Sequence, residues 1–321
     1  MPYLIGTDEA GYGPNLGPLV VAASAWEVPP GTSAETLYDR LGIVVTAAVS
    51  ADDGRLPMAD SKVLYKSGSG LAVLERSVLS ALAVAGSPAR KWRELWTSVV
   101  HRGAACERFG SLPWHEDYDL ELPVDSTLEA IAVALQSLEE GLACAKVRLL
   151  ALSSTAIFPQ EFNELVAQTD SKGETLSLTT LRLVERVLNL LPAGNVQVIC
   201  DKHGGRDRYA ALLQHVFSDS LLGVLREGRD ESIYRITHQG RPVVFHFLAK
   251  GERLLPTALA SMLAKYLREL AMKPFNDFWQ RHIPGLRPTA GYPEDALRFQ
   301  GEIAATQKRL GIAKEILWRC R

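Results

Sequence analysis

The sequence predicts an α/β fold in which a mixed sheet is flanked by helices. The chain starts with two apolar, valine-rich runs separated by a glycine-containing loop, which is the pattern of two strands joined in a hairpin. Further along, helical and strand-like segments alternate, as is typical of a sheet with helices packed on its faces. With 321 residues, the chain is long enough to bury a large core.

The glycines that follow the first predicted strand do not have the pattern of a dinucleotide-binding loop. Such a loop needs a helix directly after its glycines, because the helix N-terminus holds the pyrophosphate. Here the next run, residues 18–28, is rich in valine and lacks a polar helical face, so we interpret it as the second strand. Gly17 also lies four residues after Gly13, and the acids Asp8 and Glu9 would repel a phosphate unless a cation lay between them. The stretch therefore predicts a hairpin with paired acids at the end of its first strand and glycine N–H groups close to a phosphate backbone.

The later elements follow from apolar periodicity and from capping signals. We expect helices over 34–48, 71–84, 127–140, 176–190, 209–217, 256–272 and 302–309, and strands over 147–153, 195–200 and 242–248. The helix from residue 127 has Asp125 or Ser126 as its expected cap.

Residues 86–125 lack this regular pattern of helices and strands, and they contain Trp92, Trp96 and Trp114. We interpret them as an insertion whose tryptophans fill a core, because large aromatic residues at irregular spacing more often pack than stack on bases. Contact with a ligand is the alternative.

Composition and charge narrow the function classes. The net charge of −2 argues against a general nucleic-acid binder, but residues 200–321 hold 20 Lys and Arg against 13 Asp and Glu. That excess is compatible with a basic face for a polyanion, or with a merely solvated surface. No apolar run reaches membrane-spanning length, and the four cysteines lack zinc-ligand spacing. We therefore expect a cytoplasmic protein with free thiols, and the sequence leaves its oligomeric state open.

Four acids are candidates for one site at the edge of the sheet. Asp8 and Glu9 end one predicted strand and Asp201 ends another, so their carboxylates can meet. On the long helix, Glu269 falls on a stripe different from the apolar one, so it could face the same edge. Carboxylate oxygens suit Mg²⁺ or Mn²⁺, and two such ions can activate the water and stabilise the leaving oxygen of a phosphodiester. A surface ion pair of Glu269 with a basic neighbour on its own helix is the alternative.

Six segments carry a family resemblance. They are residues 8–20 (DEAGYGPNLGPLV), 60–64 (DSKVL), 198–201 (VICD), 250–252 (KGE), 260–269 (ASMLAKYLRE) and 290–292 (AGY). Their order and pattern resemble the type 2 ribonucleases H, the ribonuclease HII and HIII group, whose matching motifs include D-E-A-G-R-G-P-L-A-G-P-V and A-S-I-V-A-K-V-T-R-D. The first and fifth segments are the specific ones.

The resemblance implies a ribonuclease H-like fold with a mixed five-stranded sheet flanked by helices, an inserted subdomain and a C-terminal helical extension. It places residues 1–66 and 146–321 in the catalytic domain and leaves 67–145 as the insertion. The activity it implies is divalent-metal-dependent, two-metal-ion hydrolysis of the RNA strand of RNA–DNA hybrids, leaving 5′-phosphate and 3′-hydroxyl ends. Ribonucleotide-containing DNA is a further substrate of the family.

The resemblance also implies the site residues. The catalytic, metal-binding acids that it implies are Asp8, Glu9, Asp201 and Glu269, which would hold two Mg²⁺ or Mn²⁺ ions. The substrate contacts that it implies are Gly11, Tyr12, Gly13, Ser61, Lys62 and Tyr292.

Two departures from the family pattern open competing hypotheses. Tyr12 replaces an arginine, which removes a fixed cation from the substrate loop, and Glu269 replaces an aspartate, which lengthens the side chain by one methylene. A binding protein that has lost activity on the same fold is therefore one alternative. A nuclease for another substrate, such as a structured DNA junction, is the other.

Overall fold

The computed structural model describes residues 2–48, 54–65, 70–100 and 110–320. The described helices are α1 (Leu37–Arg40), α2 (Ser61–Leu64), α3 (Ala72–Val84), α4 (Trp92–Val99), α5 (Leu128–Ala145), α6 (Pro159–Thr169), α7 (Lys172–Leu190), α8 (Ala210–Val216), α9 (Leu255–His282) and α10 (Pro293–Arg309). The strands are β1 (Tyr3–Ala10), β2 (Leu19–Glu27), β3 (Val45–Thr46), β4 (Leu56–Pro57), β5 (Arg148–Ile157), β6 (Val196–Asp201), β7 (Leu222–Arg226), β8 (Glu231–His238) and β9 (Arg241–Leu248). Short 3₁₀ turns cover Gly251–Arg253 and Lys314–Ile316.

Seven strands form one mixed sheet in the order β5-β2-β1-β6-β9-β8-β7. The centre is parallel: β1 pairs with β6, and β6 pairs with β9. The remaining neighbours are antiparallel, including the predicted β1–β2 hairpin. Because β1 and β6 run in the same direction side by side, their carboxyl ends meet at one edge of the sheet.

The predicted fold class, a mixed sheet flanked by helices, is confirmed, while the strand count is seven rather than five. The two strands that sequence analysis missed are β7 and β8, at one end of the sheet. Four of the five residues of β7 are exposed, and charged residues crowd the turn between the two strands. β7 is short, contains a glycine and exposes its apolar side chains, and one buried position of β8 is a serine, so neither strand has the clear apolar alternation by which a strand is recognised.

Three helix predictions need correction, and in one of them the helix expected over 302–309 begins at Pro293 instead. The helix expected over 34–48 is only the single turn of α1, followed by β3, and residues 49–53 lie outside the described ranges. The helix expected over 256–272 extends to His282 and passes through Pro274 without ending. Burial of its apolar residues on both sides of the proline explains why this helix continues.

Apolar side chains on the two faces of the sheet form two cores. On one face, Leu4 and Val20 pack in a cluster with α9, α3 and α5, while Ile5 and Val21 point into the other cluster with α7 and α8. Gly6 lets α9 lie directly on β1, because a Cβ there would overlap the Pro256 backbone. This close approach places the first two turns of α9 beside β1 and β6, where Thr257 donates to the Ile199 carbonyl and Ser261 lies next to Asp8.

The segment predicted as an insertion contributes to the first of these cores. Helices α3 and α5 pack on one another, and α3 also contacts α9. Residues 66–69 and 101–109 lie outside the described ranges, and the boundaries 67–145 stay a prediction. No helix among the residues described is both long and apolar enough to cross a membrane.

The three tryptophans of this segment are buried, as sequence analysis predicted. Trp92 and Trp96 lie with their ring centroids 4.7 Å apart, and Trp114 meets Phe275 of α9 edge-on at 5.1 Å. All three have at most 4% of their surface exposed. They therefore join this segment to the rest of the fold by packing.

Replacing Trp114 with alanine should lower the free energy of unfolding by about 3–5 kcal/mol, because the substitution leaves a cavity against α9. Val133→Ala is the matched control in α5, since Val133 is 70% exposed and should change stability by less than about 0.5 kcal/mol. Urea unfolding measures both. Similar values for the two variants would show that Trp114 is not part of the core.

Candidate active site

Two acids stand at the carboxyl end of β1, next to a third at the end of β6. The parallel register pairs Thr7 with Cys200, so the following residues, Asp8 and Asp201, end adjacent strands. The Glu9 N–H donates to Asp8 Oδ1 at 2.8 Å, which holds the two acids of β1 together. The structure thus brings Asp8, Glu9 and Asp201 to one edge, where the sequence predicted that they meet.

A lysine and two serines surround this acidic edge. Asp60 caps the short helix α2 by accepting from the Lys62 N–H at 3.0 Å, and this places Lys62 among the acids. The hydroxyls of Ser61 and Ser261 lie 3.0 Å apart, which joins α2 to α9 across 200 residues of sequence. Burial raises the pKa values of Asp8 and Glu9, and a hydrogen bond from Ser261 to Asp8 and the charge of Lys62 near Glu9 oppose part of that rise.

A fourth carboxylate at this edge belongs to Glu252. The chain leaves β9 through Lys250, which has a left-handed φ of 64°, and forms the 3₁₀ turn that carries Glu252. The Gly251 N–H donates to Asp201 Oδ1 at 2.8 Å, so the turn is fixed to the end of β6. The charge of Glu252 adds to the effect of burial in raising the pKa of Asp201. Sequence analysis included this residue in a family motif but did not assign it to the site.

The Glu269 carboxylate has different partners. The Tyr65 hydroxyl donates to Glu269 Oε2 at 3.0 Å, and the Lys265 ammonium pairs with Oε1 at 2.5 Å. This is the ion pair along the helix that sequence analysis gave as the alternative to metal binding. Glu269 nevertheless borders the same cleft as Glu9. Its assignment as a metal ligand stays a prediction.

Burial and mutual repulsion make the ionised form of the acids costly. Burial, followed by the charge of Glu9, raises the pKa of Asp8 well above its usual value. Burial and the charge of Asp201 raise the pKa of Glu9 to about 7, and burial followed by Glu252 raises that of Asp201 to about 6. Clustered carboxylates of this kind gain from a bound cation that offsets their charge.

The donor set fits a hard divalent cation. Carboxylate oxygens are the preferred ligands of Mg²⁺ and Mn²⁺, and their crowding supplies the negative charge that such an ion neutralises. Within the described ranges, no three Asp, Glu, His or Cys side chains already converge into a group that could hold an ion. What the geometry shows is therefore a row of acids on adjacent strand ends and a neighbouring turn.

A cleft of about 380 Å³ opens beside the acids. The predicted substrate contacts Gly11, Tyr12, Gly13, Ser61, Lys62 and Tyr292 all border it, together with Glu9, Lys265 and Glu269. Tyr292 is 56% exposed, so its ring is accessible from solvent. The structure brings these residues together, and their contact with substrate stays a prediction.

Arg268 holds the walls of the cleft together, a role that sequence analysis missed. Its guanidinium donates to the carbonyl oxygens of Pro18, Leu16 and Ala290, and so ties the glycine loop to the segment before Tyr292. Gly11 has a φ of 89°, and a side chain there would collide with Arg268. Burial lowers the pKa of Arg268 to about 10, so it stays charged at neutral pH. An arginine among apolar residues of a helix is the only sequence signal for this role.

The raised pKa of Glu9 predicts a pH-dependent stability in metal-free protein. The unfolded chain ionises Glu9 near 4.5, whereas the folded chain retains the proton up to about 7. The folded state binds more protons in this interval, so the free energy of unfolding falls as pH rises from about 4.5 to 7 and stays low above it. Glu9→Gln should therefore stabilise the protein by about 1–3 kcal/mol at pH 8 but by little at pH 5. Urea unfolding with a chelator present measures this, and an equal gain at both pH values would contradict it.

Fold and site together define a mixed α/β protein with an acidic edge beside a cleft that contains a glycine loop. No protein-family model matches the sequence, and no curated protein matches it either. Among solved structures, the chain is similar to a structure described as the PCNA:RNase HII complex from Archaeoglobus fulgidus, with 15% identity, a TM-score of 0.45, and 99% of this chain and 94% of the other covered. It is also similar to ribonuclease H2 from Pyrococcus horikoshii, with 15% identity, a TM-score of 0.43, and 98% and 92% covered.

A third similar structure is Bst-RNase HIII in complex with Mn²⁺, with 16% identity and a TM-score of 0.43. The match covers 99% of this chain and 66% of that one. These similarities describe overall fold, and what the site does is argued from the residues of this chain.

Proposed function

We propose that the protein is a divalent-metal-dependent endoribonuclease of the type 2 ribonuclease H class, which hydrolyses the RNA strand of RNA–DNA hybrids. The observation that carries this proposal is the row formed by Asp8, Glu9 and Asp201 on adjacent strand ends, with pKa values raised by burial and by one another. The six ordered motifs of the sequence supply the substrate class.

The acids proposed to hold the cations are Asp8, Glu9, Asp201 and Glu252. Glu252 takes the fourth place because the turn that carries it is fixed to Asp201 and its charge acts on that acid, whereas Glu269 is engaged by Lys265 and Tyr65. When bound, Mg²⁺ or Mn²⁺ ions activate water and neutralise charge that develops on the phosphate oxygens.

The side chains and backbone of the cleft bind and orient the substrate. Lys62 places an ammonium group beside the acids, where it offsets part of the negative charge that would otherwise repel a phosphodiester. The glycine loop offers backbone N–H groups without side chains between them and the nucleic acid. The exposed ring of Tyr292 can stack on a sugar or base at the cleavage site.

A substrate panel tests the proposal. A labelled RNA–DNA hybrid, a DNA duplex with one embedded ribonucleotide, duplex RNA and plain DNA are incubated with protein and Mg²⁺ or Mn²⁺, and the products are separated on a denaturing gel. We expect cleavage of the RNA strand of the hybrid, with 5′-phosphate and 3′-hydroxyl ends, and no cleavage of plain DNA.

The other outcomes identify the competing functions. Tight binding of the hybrid without cleavage under either metal would favour the inactive binding protein. Preferential cutting of branched DNA over the hybrid would favour a junction nuclease.

A further inference from the structure

We propose that Arg206 and Lys172 form a second phosphate-binding subsite around Tyr12, which takes a backbone phosphodiester of the nucleic acid bound in the cleft. This inference rests on the proposed function and concerns cations on two elements that the site described above does not include. They are the loop after β6 and the first turn of α7.

Tyr12 extends from the cleft toward both of these elements. A Cβ built on Gly173 would lie 3.6 Å from the Tyr12 hydroxyl oxygen, and one built on Gly204 would lie 3.5 Å from it. The hydroxyl therefore lies between the N-terminal turn of α7 and the loop after β6. Both distances are ordinary van der Waals contacts, so the backbone of each element lies close to the hydroxyl.

Cations flank Tyr12 from both elements. The Lys172 ammonium lies 5.4 Å from the centroid of the Tyr12 ring, within the range of a cation–π contact. Arg206 is close enough for its charge to lower the pKa of Tyr12 against the larger, opposing effect of burial. Tyr12 thus occupies the place of the family's arginine in the loop, while neighbouring elements supply positive charge beside it.

Arg206 differs from the other basic residues of its loop. Lys202 pairs with Asp207 at 2.7 Å, and Arg208 lies 3.7 Å from Glu227. The half-buried guanidinium of Arg206 has neither an ion pair nor a side-chain hydrogen bond with the residues that the structure describes. Its five donors are therefore available to a phosphate, which a guanidinium can bind through two parallel hydrogen bonds.

Hydrogen bonds to α7 and to Tyr209 hold the loop that carries Arg206 in place. His203 is buried, its Nδ1 lies 3.0 Å from the Ser177 hydroxyl, and its backbone N–H donates to the Tyr209 hydroxyl. The Arg206 N–H donates in turn to the His203 carbonyl at 3.2 Å. A fixed loop lowers the entropy lost when Arg206 engages a phosphate.

The salt dependence of hybrid binding tests the subsite. Binding of a fluorescent RNA–DNA hybrid is measured by anisotropy over a series of salt concentrations, with Mg²⁺ present and with Asp8→Asn in every protein to prevent cleavage. Each lost phosphate contact reduces the magnitude of the slope of log affinity against log salt by about one. We expect Arg206→Ala to reduce it by about one and to weaken binding about 3- to 10-fold, and Lys172→Gln to act in the same direction. Arg206→Lys should retain most of the slope.

Arg208→Ala is the matched control, because Arg208 lies two residues further along the same loop and already faces Glu227. Its slope should equal that of the parent protein. Equal slopes for the Arg206→Ala and Arg208→Ala proteins would overturn the subsite, and if the wild-type protein still cleaves hybrid, the proposed function stands. Weaker binding at an unchanged slope would also overturn the subsite, because Arg206 would then act only on the shape of the loop. Failure of both wild-type and parent proteins to bind hybrid would overturn the proposed function as well.

Discussion

Asp8→Asn should reduce cleavage of an RNA–DNA hybrid by roughly 100-fold or more while leaving the fold intact. The amide has nearly the volume of the carboxylate, so packing at the end of β1 is kept. What is lost is a negative charge at the centre of the row, beside Glu9 and Asp201. Without that charge the cations are held less tightly and the reacting phosphate is positioned less well.

The control for this variant is Asp219→Asn, which removes a carboxylate from the exposed turn before β7. It should cleave at the wild-type rate. Thermal unfolding of both variants shows whether any loss of rate comes from loss of structure. A folded Asp8→Asn protein that cleaves within tenfold of wild type would contradict the assignment of Asp8 to the metal site.

Glu252→Gln should reduce cleavage nearly as much as Asp8→Asn, and Glu269→Gln should reduce it by about tenfold or less. The two substitutions are chemically identical, so each is the control for the other. The charge of Glu252 acts on Asp201, and its loss removes charge from the acidic row. Glu269 is neutralised by Lys265, so its loss changes the wall of the cleft more than the metal site.

The kinetic pattern separates these two roles. Loss of a metal ligand should lower kcat, whereas loss of a residue in the wall should appear mainly in KM. If Glu269→Gln were instead the slower enzyme, Glu269 on α9 would be the fourth metal ligand rather than Glu252.

Local sequence patterns were sufficient to predict the strands that carry Asp8, Glu9 and Asp201. β1, β2 and β6 are apolar runs buried on both faces, and each acid follows such a run. The same pattern therefore predicted both the strand and the position of the acid at its end. The position of Glu252 was not visible in this way. It depends on one 3₁₀ turn and on a left-handed residue, Lys250, neither of which has a periodic signal.

Contacts between distant segments were also beyond the reach of sequence patterns. Ser61 meets Ser261 across 200 residues, and Arg268 bonds carbonyl groups of Leu16 and Pro18 some 250 residues away. Helical spacing correctly placed Glu269 off the apolar stripe of α9, but it could not show that Tyr65 and Lys265 would be its partners. Pairing of this kind is decided by tertiary packing.

Dependence of hybrid cleavage on divalent cations tests the central claim most directly. Chelator-treated protein is given a labelled RNA–DNA hybrid, Mg²⁺ or Mn²⁺ is titrated in, and the initial rate and product ends are recorded for the wild-type and Asp8→Asn proteins. We expect no cleavage without added cation, a rate that rises and saturates with Mg²⁺ or Mn²⁺, 5′-phosphate products, and a response at least 100-fold weaker in the variant. Cleavage that persists in chelator, or a wild-type protein that cleaves no hybrid with either ion, would contradict the account.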